Sequence, residues 1–170
     1  VRKFIEAGDR ISTKTVTLDE TMMKDFYKKF LISYDEVNGG FGLAPKFPPT
    51  MKLRLLLRIA QRTGDKHAIK MMTSTLKHMA RGGIYDHLAG GFHRYSTDDI
   101  WLVPHFEKML YDQATLTMVY LEGYQVTGNK VFESVVRGVL DYVLKDMTGP
   151  KGGFYSAEDA DSEGEEGTYY

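Results

Sequence analysis

Cysteine is absent from all 170 residues, which excludes disulfides, thiolate nucleophiles and cysteine-based zinc sites within the chain. The same lack points to a reducing compartment, so a cytoplasmic location is expected. No run approaches the roughly 20 apolar residues that a membrane span needs, and no stretch alternates convincingly as a strand. Charge of one sign is lacking overall. A net charge of −1 removes the electrostatic basis for binding nucleic acid or an anionic membrane. What balance there is hides an asymmetry. Glu158, Asp159, Asp161, Glu163, Glu165 and Glu166 crowd the C-terminal stretch, leaving 17 acidic against 22 basic residues before it. Such a block is either a solvated surface or part of a site. Val1 at one end and "EGTYY" at the other read as cuts in a longer polypeptide.

What is present is helical periodicity. Apolar residues at three- and four-residue steps predict helices over about 18–34, 51–62, 66–81, 104–126 and 130–147. Pro104 suits the first turn of the fourth, where its missing N–H costs nothing. The short links "RTGDK" and "VTGNK" read as glycine stops of tight helical hairpins. The other connections, 38–50, 82–103 and 148–170, are long and each carries "GGF", at 39–41, 90–92 and 152–154. Spacings of 51 and 62 residues fit one helical hairpin per repeat. In an up-and-down array every second connection lies at one end, so the three decorated loops gather there. Repeating hairpins stack into a solenoid or close into a toroid. Long loops concentrated at one rim suit the toroid.

The second long loop holds the chemistry. Asp86, His87, His93, Arg94, Asp98, Asp99, His105 and Glu107 fall close together. With the helix starting at Pro104, His105 and Glu107 lie in its first turn, where the dipole favours an anion and keeps a histidine neutral. A histidine base and a carboxylic acid are the equipment of proton transfer. His93, His105, Glu107, Asp98 and Asp159 are therefore the candidate catalytic residues. Arg94, Tyr95 and Trp101, with Asp86, His87 and Phe41, are the candidate ligand-binding residues, aromatic faces for a sugar ring and polar groups for its hydroxyls. The histidine spacings match no zinc signature. "DADSEGEEGTYY" begins like a calcium loop but has Tyr170 where a bidentate glutamate belongs. Neither a metal nor a cofactor is expected.

The blocks "GGFGLAPKFP", "GGIYDHLAGGFHRYSTDDIWLVPHFEKMLYDQA" and "GGFYSAEDADSEGEEG" resemble those of the thioredoxin-domain-containing proteins related to spermatogenesis-associated protein 20. One departure is Tyr169–Tyr170, where that family usually has Phe-Tyr. The resemblance implies an all-α fold, the early part of an α/α toroid like those of N-acylglucosamine 2-epimerases and six-hairpin glycosidases. It also implies a thioredoxin-like domain with a Cys-x-x-Cys motif before Val1, as a partner in the full-length chain. The epimerases so resembled move a proton beside a sugar carbonyl with cavity histidines, and these have no residue-by-residue match here. Acid/base chemistry on a sugar-like substrate is the expected function, epimerase- or glycosidase-like. The alternative is a non-catalytic toroid that binds a peptide or glycan for the thioredoxin-like domain. An incomplete ring also leaves an apolar edge, through which an oligomer is expected.

Overall fold

The computed structural model describes residues 20–168. The predicted helix start at Leu18 and the Tyr169–Tyr170 pair lie outside those residues. Among the described residues five helices carry the fold: α1 (Glu20–Ser33), α2 (Thr50–Thr63), α3 (Lys66–Arg81), α4 (Leu110–Thr127) and α5 (Lys130–Lys145). Two hairpins, α2–α3 and α4–α5, pack side by side, with α4 touching α2, α3 and α5.

The two hairpin turns use one design. Gly64 and Gly128 end their helices at φ 75° and 67°, each N–H reaching back to the carbonyl of the residue four earlier, Ala60 or Tyr124. The residue after each glycine then opens the next helix. Asp65 accepts from the His67 and Ala68 N–H groups, and Asn129 from Val131 N–H. Left-handed glycine followed by an N-capping side chain reverses the chain within a few residues.

The core follows the periodicity. Leu53, Leu56, Leu57 and Ala60 of α2, Met72, Leu76 and Met79 of α3, and Val135, Val139 and Tyr142 of α5 are buried. They surround Leu116, Val119 and Tyr120 of α4. Tyr120 donates to the Leu76 carbonyl at 2.8 Å, so its hydroxyl is satisfied in the centre of the bundle.

Among the described residues short strands occur only in the long connections, as three two-residue antiparallel pairs. β1 (Tyr95–Ser96) pairs β2 (Pro104–His105), β3 (Lys108–Met109) pairs β4 (Ala157–Glu158), and β5 (Asp161–Ser162) pairs β6 (Glu165–Glu166). They correct the expected start of the fourth helix. Residues 104–109 are drawn into ladders with Tyr95–Ser96 and Ala157–Glu158, so α4 begins at Leu110. His105 and Glu107 therefore sit on a strand and its continuation, outside any helical turn.

The three glycine loops meet. Lys46 and Ser96 exchange backbone hydrogen bonds at 2.9 and 2.8 Å, tying the first to the second. The β3–β4 ladder ties the second to the third. Among the described residues no helix is long and apolar enough to cross a membrane.

Candidate functional site

The two glycine pairs at 39–40 and 90–91 build the same clamp. Asp35 and Asp86 each accept two backbone N–H groups, from Val37 and Asn38 or from Leu88 and Ala89, and each carbonyl receives the N–H of Gly39 or Gly90. The glycines take positive φ, and Phe41 or Phe92 then bridges back to Tyr34 or Tyr85. A buried lysine locks each turn. Lys46 Nζ donates to Asp35 Oδ2 at 2.6 Å and to the Gly39 carbonyl at 3.0 Å. Lys108 Nζ donates to Asp86 Oδ2 at 2.7 Å and to the Gly90 carbonyl at 3.2 Å. Each ammonium faces a ring, Trp101 at 5.7 Å and Tyr142 at 4.3 Å. Side chains at Gly40 and Gly91 would strike those rings, at 2.6 Å in each case. The third glycine loop repeats only the backbone part, a Thr148–Phe154 bridge over Gly149 and Gly153.

These clamps reassign several residues expected to face a ligand. Asp86 is a clamp carboxylate. Burial would raise it, but the Lys108 ammonium and the Ala89 and Leu88 N–H groups outweigh that and hold it at about 2. Trp101 is fully buried, with Nε1–H on the Asn38 carbonyl at 3.0 Å, and forms the floor under Gly40 in place of an exposed platform. Phe41 packs on Phe30 and Tyr34 beneath the Lys52 ammonium. Asp98 accepts the N–H groups of Ile100, Leu102 and Val103 and the Ser96 hydroxyl, so it shapes its own loop and stays ionised. His87 is exposed and rests edge-on against Tyr85, away from the glycine clamp's interior. Asp159 is exposed on the third loop.

His93, expected in proton transfer, is enclosed by its neighbours. Its ring is 1% exposed, edge-on to Phe106, with Nδ1 3.1 Å from the Phe106 carbonyl. Burial, helped by the Lys108 charge, pushes it down to about 4. Because the folded value lies below the unfolded one, its contribution is complete above about pH 6.5 and lost as pH falls through about 4. The loss amounts to about 3 kcal/mol across that window. Asp86 adds its own loss lower, between about 3.8 and 2. His93→Asn, which keeps a donor near Nδ1, is expected to flatten urea-derived stability between pH 6.5 and 4 while leaving the lower step.

A different group of side chains does converge. Register places Tyr95 opposite His105, and their rings stack at 4.8 Å with 22° between planes. Phe47 from the first loop, 54% exposed, extends the stack to Tyr95 at 4.7 Å. The third loop supplies Glu166, whose Oε1 lies 2.8 Å from His105 Nδ1 and accepts the Phe106 N–H at 2.9 Å. Its turn, with Glu163 and Gly164 at φ 56° and 87°, has the backbone of a two-residue hairpin, which accounts for the calcium-like spacing. Gly167 lies flat on Phe106, where a Cβ would meet the ring at 2.7 Å.

On the other side of the imidazole, Glu107 Oε2 is 3.8 Å from His105 Nε2. Arg94 holds that carboxylate at 2.6 Å and also donates its backbone N–H to the Glu107 carbonyl. Asp112, in the first turn of α4, completes the group. Burial lifts its carboxyl to about 6, with Arg94 pulling it down and Glu107 pushing it up. Sequence reasoning missed Glu166, Asp112 and the two clamp lysines. Only the crowding of acids after residue 157 hinted at Glu166. A cleft of about 430 Å³ also opens between the second loop, the end of α5 and the third loop, beside Lys108, Tyr142, Tyr155 and Glu158. None of the candidate catalytic or ligand-binding residues lines it, although Glu158 of the acidic block does.

No family profile matches the chain. Over 98% of its length it is 45% identical to spermatogenesis-associated protein 20 of Rattus norvegicus, and over 99% it is 44% identical to that of Homo sapiens. It spans 21% and 22% of those two proteins, about a fifth. Among solved structures it is similar to a sugar epimerase from a ruminal bacterium, with TM-score 0.67 and 14% identity over 81% of this chain and 40% of that one. Cellobiose 2-epimerase of Bacillus thermoamylovorans gives the same score and identity over 83% of this chain and 42% of that one. D-mannose isomerase is similar at TM-score 0.55 and 18% identity, over 66% and 29%. At these identities the likeness is one of fold, the α/α toroid. The chain is a partial α/α toroid and belongs, as a segment, to the family of proteins related to spermatogenesis-associated protein 20.

Proposed function

We propose that this segment forms part of an epimerase-like site that moves a proton at the carbon beside a sugar carbonyl, with His105 as the base. The observation that carries this reading is the setting of His105. A carboxylate beside Nδ1 accepts a hydrogen bond from Nδ1–H, which leaves Nε2 as the basic nitrogen. Glu166 occupies that position at 2.8 Å, Nε2 points toward Glu107, and the ring lies on Tyr95. One imidazole oriented between two carboxylates suits proton abstraction better than hydrolysis, which needs two carboxyl groups facing across open space. Tyr95 and Phe47 offer the aromatic surface for a sugar ring, and Arg94 the cation beside it. In the full-length protein the toroid acts beside a thioredoxin-like domain, and the apolar edge of this segment meets further hairpins or a second copy.

Two of the structural neighbours name their sugars, cellobiose and D-mannose, and these are the first substrates to test. The full-length protein in D2O is expected to exchange the hydrogen at C2 of one of these sugars, or of another reducing sugar in a small panel, followed by proton NMR. Absence of exchange across the panel overturns the reading.

A further inference from the structure

The cleft of about 430 Å³ beside the third glycine loop is separate from the His105 group. Glu107 and Lys108 are successive residues, and their side chains go to different partners, Glu107 to Arg94 and His105, Lys108 to Asp86. The cleft opens beside Lys108, and none of Arg94, His105 and Glu107 lines it. Its floor is buried and internally satisfied. Met147 and Tyr142 are 1% and 2% exposed, and the Tyr142 hydroxyl donates to Glu158 Oε2. Lys108 Nζ is committed to Asp86 and the Gly90 carbonyl. The rim is open. Asp146, Tyr155 and Glu158 line it and are exposed, two carboxylates and an aromatic ring. The ion pair that Asp146 makes, to Lys145 at 3.9 Å, is long, and that lysine is 79% exposed, so solvent screens it.

Elsewhere this chain shows twice what a carboxylate beside an aromatic ring holds. Lys46 places its ammonium between Asp35 and Trp101, and Lys108 between Asp86 and Tyr142. The third glycine loop has carboxylates and a ring but brings no lysine of its own to them. Lys151 is the one lysine between residues 148 and 170, and it is exposed and does not line the cleft. We propose that the cleft binds a small organic cation, a protonated alkylamine whose ammonium is drawn to the rim carboxylates while its carbon chain lies on the Tyr155 ring. A neutral ligand leaves the charge of Glu158 and Asp146 uncompensated, whereas a cation matches both the carboxylates and the negative face of the ring. The volume lies within the roughly 300–1,000 Å³ of small-molecule sites. This site is independent of the sugar reaction and stands or falls without it.

The test titrates the full-length protein with butylammonium and with butanol, its neutral match, followed by saturation-transfer NMR. The amine is expected to bind saturably and roughly tenfold more tightly than the alcohol, and more weakly as salt is added. Glu158→Gln combined with Asp146→Asn should bring the amine down to the level of the alcohol. Both side chains are exposed, and the glutamine oxygen can still accept from Tyr142, so the melting temperature should hold. Equal binding of amine and alcohol to the wild-type protein overturns the proposal without need of any variant. Amine binding that survives the double substitution places the cation elsewhere and also overturns it. So does a crystal of the full-length protein in which a lysine of its own chain fills the cleft, which would make this a third clamp.

Discussion

Lys108→Met is expected to destabilise the chain by about 3–5 kcal/mol, the cost of leaving one member of a buried ion pair alone. Both side chains of the Lys108–Asp86 pair are 1% exposed, so water cannot replace the lost ammonium. Asp86 would keep the N–H groups of Leu88 and Ala89, but the Gly90 carbonyl and Oδ2 would lose their shared donor. Adding Asp86→Asn should recover most of the loss. The amide oxygen can still cap the two N–H groups while the orphaned charge disappears. Lys46→Met should cost less, because Asp35 is 20% exposed and water can reach it. Urea titration read through Trp101 fluorescence measures all three, and it is sensitive to the first clamp, since the Lys46 ammonium faces that ring. Equal losses for both lysines, or no recovery in the double variant, would show that packing of the lysine stem outweighs its charge.

The clamps also show where reading the sequence stops. The helical architecture is legible because its cause is local. Met72, Leu76 and Met79 recur at helical spacing and all three are buried, and "TGDK" and "TGNK" carry their own stop and start signals. The glycine repeat is legible for the same reason, since positive φ belongs to the glycines themselves. Non-local pairing is different. Pro104 looks like a helix start, yet residues 104–109 spend their backbone groups on strands β1 and β4, the second about fifty residues on. Lysine is the residue least expected in a core, and Lys46 and Lys108 are buried only because Asp35 and Asp86 lie opposite them. Exposed chemistry was harder still to separate from framework. The loop concentrates its polar residues for two purposes at once. Asp86, Asp98, His93 and Trp101 fold the loop, and Arg94, Tyr95, His105 and Glu107 form the face it presents. Residue type does not distinguish them; partners do.

His105→Gln is expected to lower C2 hydrogen exchange by roughly 10²–10⁴-fold, the usual contribution of a positioned general base. The substitution should leave folding nearly untouched, because the ring is 25% exposed and its loss removes only one stack and two part-exposed carboxylate contacts. Glu166→Gln tests the orientation of the base separately. An amide on Nδ1 can still bond the ring but no longer fixes its tautomer, so the rate should fall by a smaller factor while sugar affinity holds. Glu107→Gln loses the charge that Arg94 grips, at 2.6 Å, and should affect both affinity and rate. The three variants therefore sort by which quantity moves: rate alone for His105 and Glu166, rate and affinity for Glu107. Full exchange in His105→Gln would remove the imidazole from the reaction and assign the proton to another group. Unchanged exchange in Glu166→Gln alone would keep His105 as the base and make the third loop a cover over Phe106, through Gly167, rather than part of the chemistry.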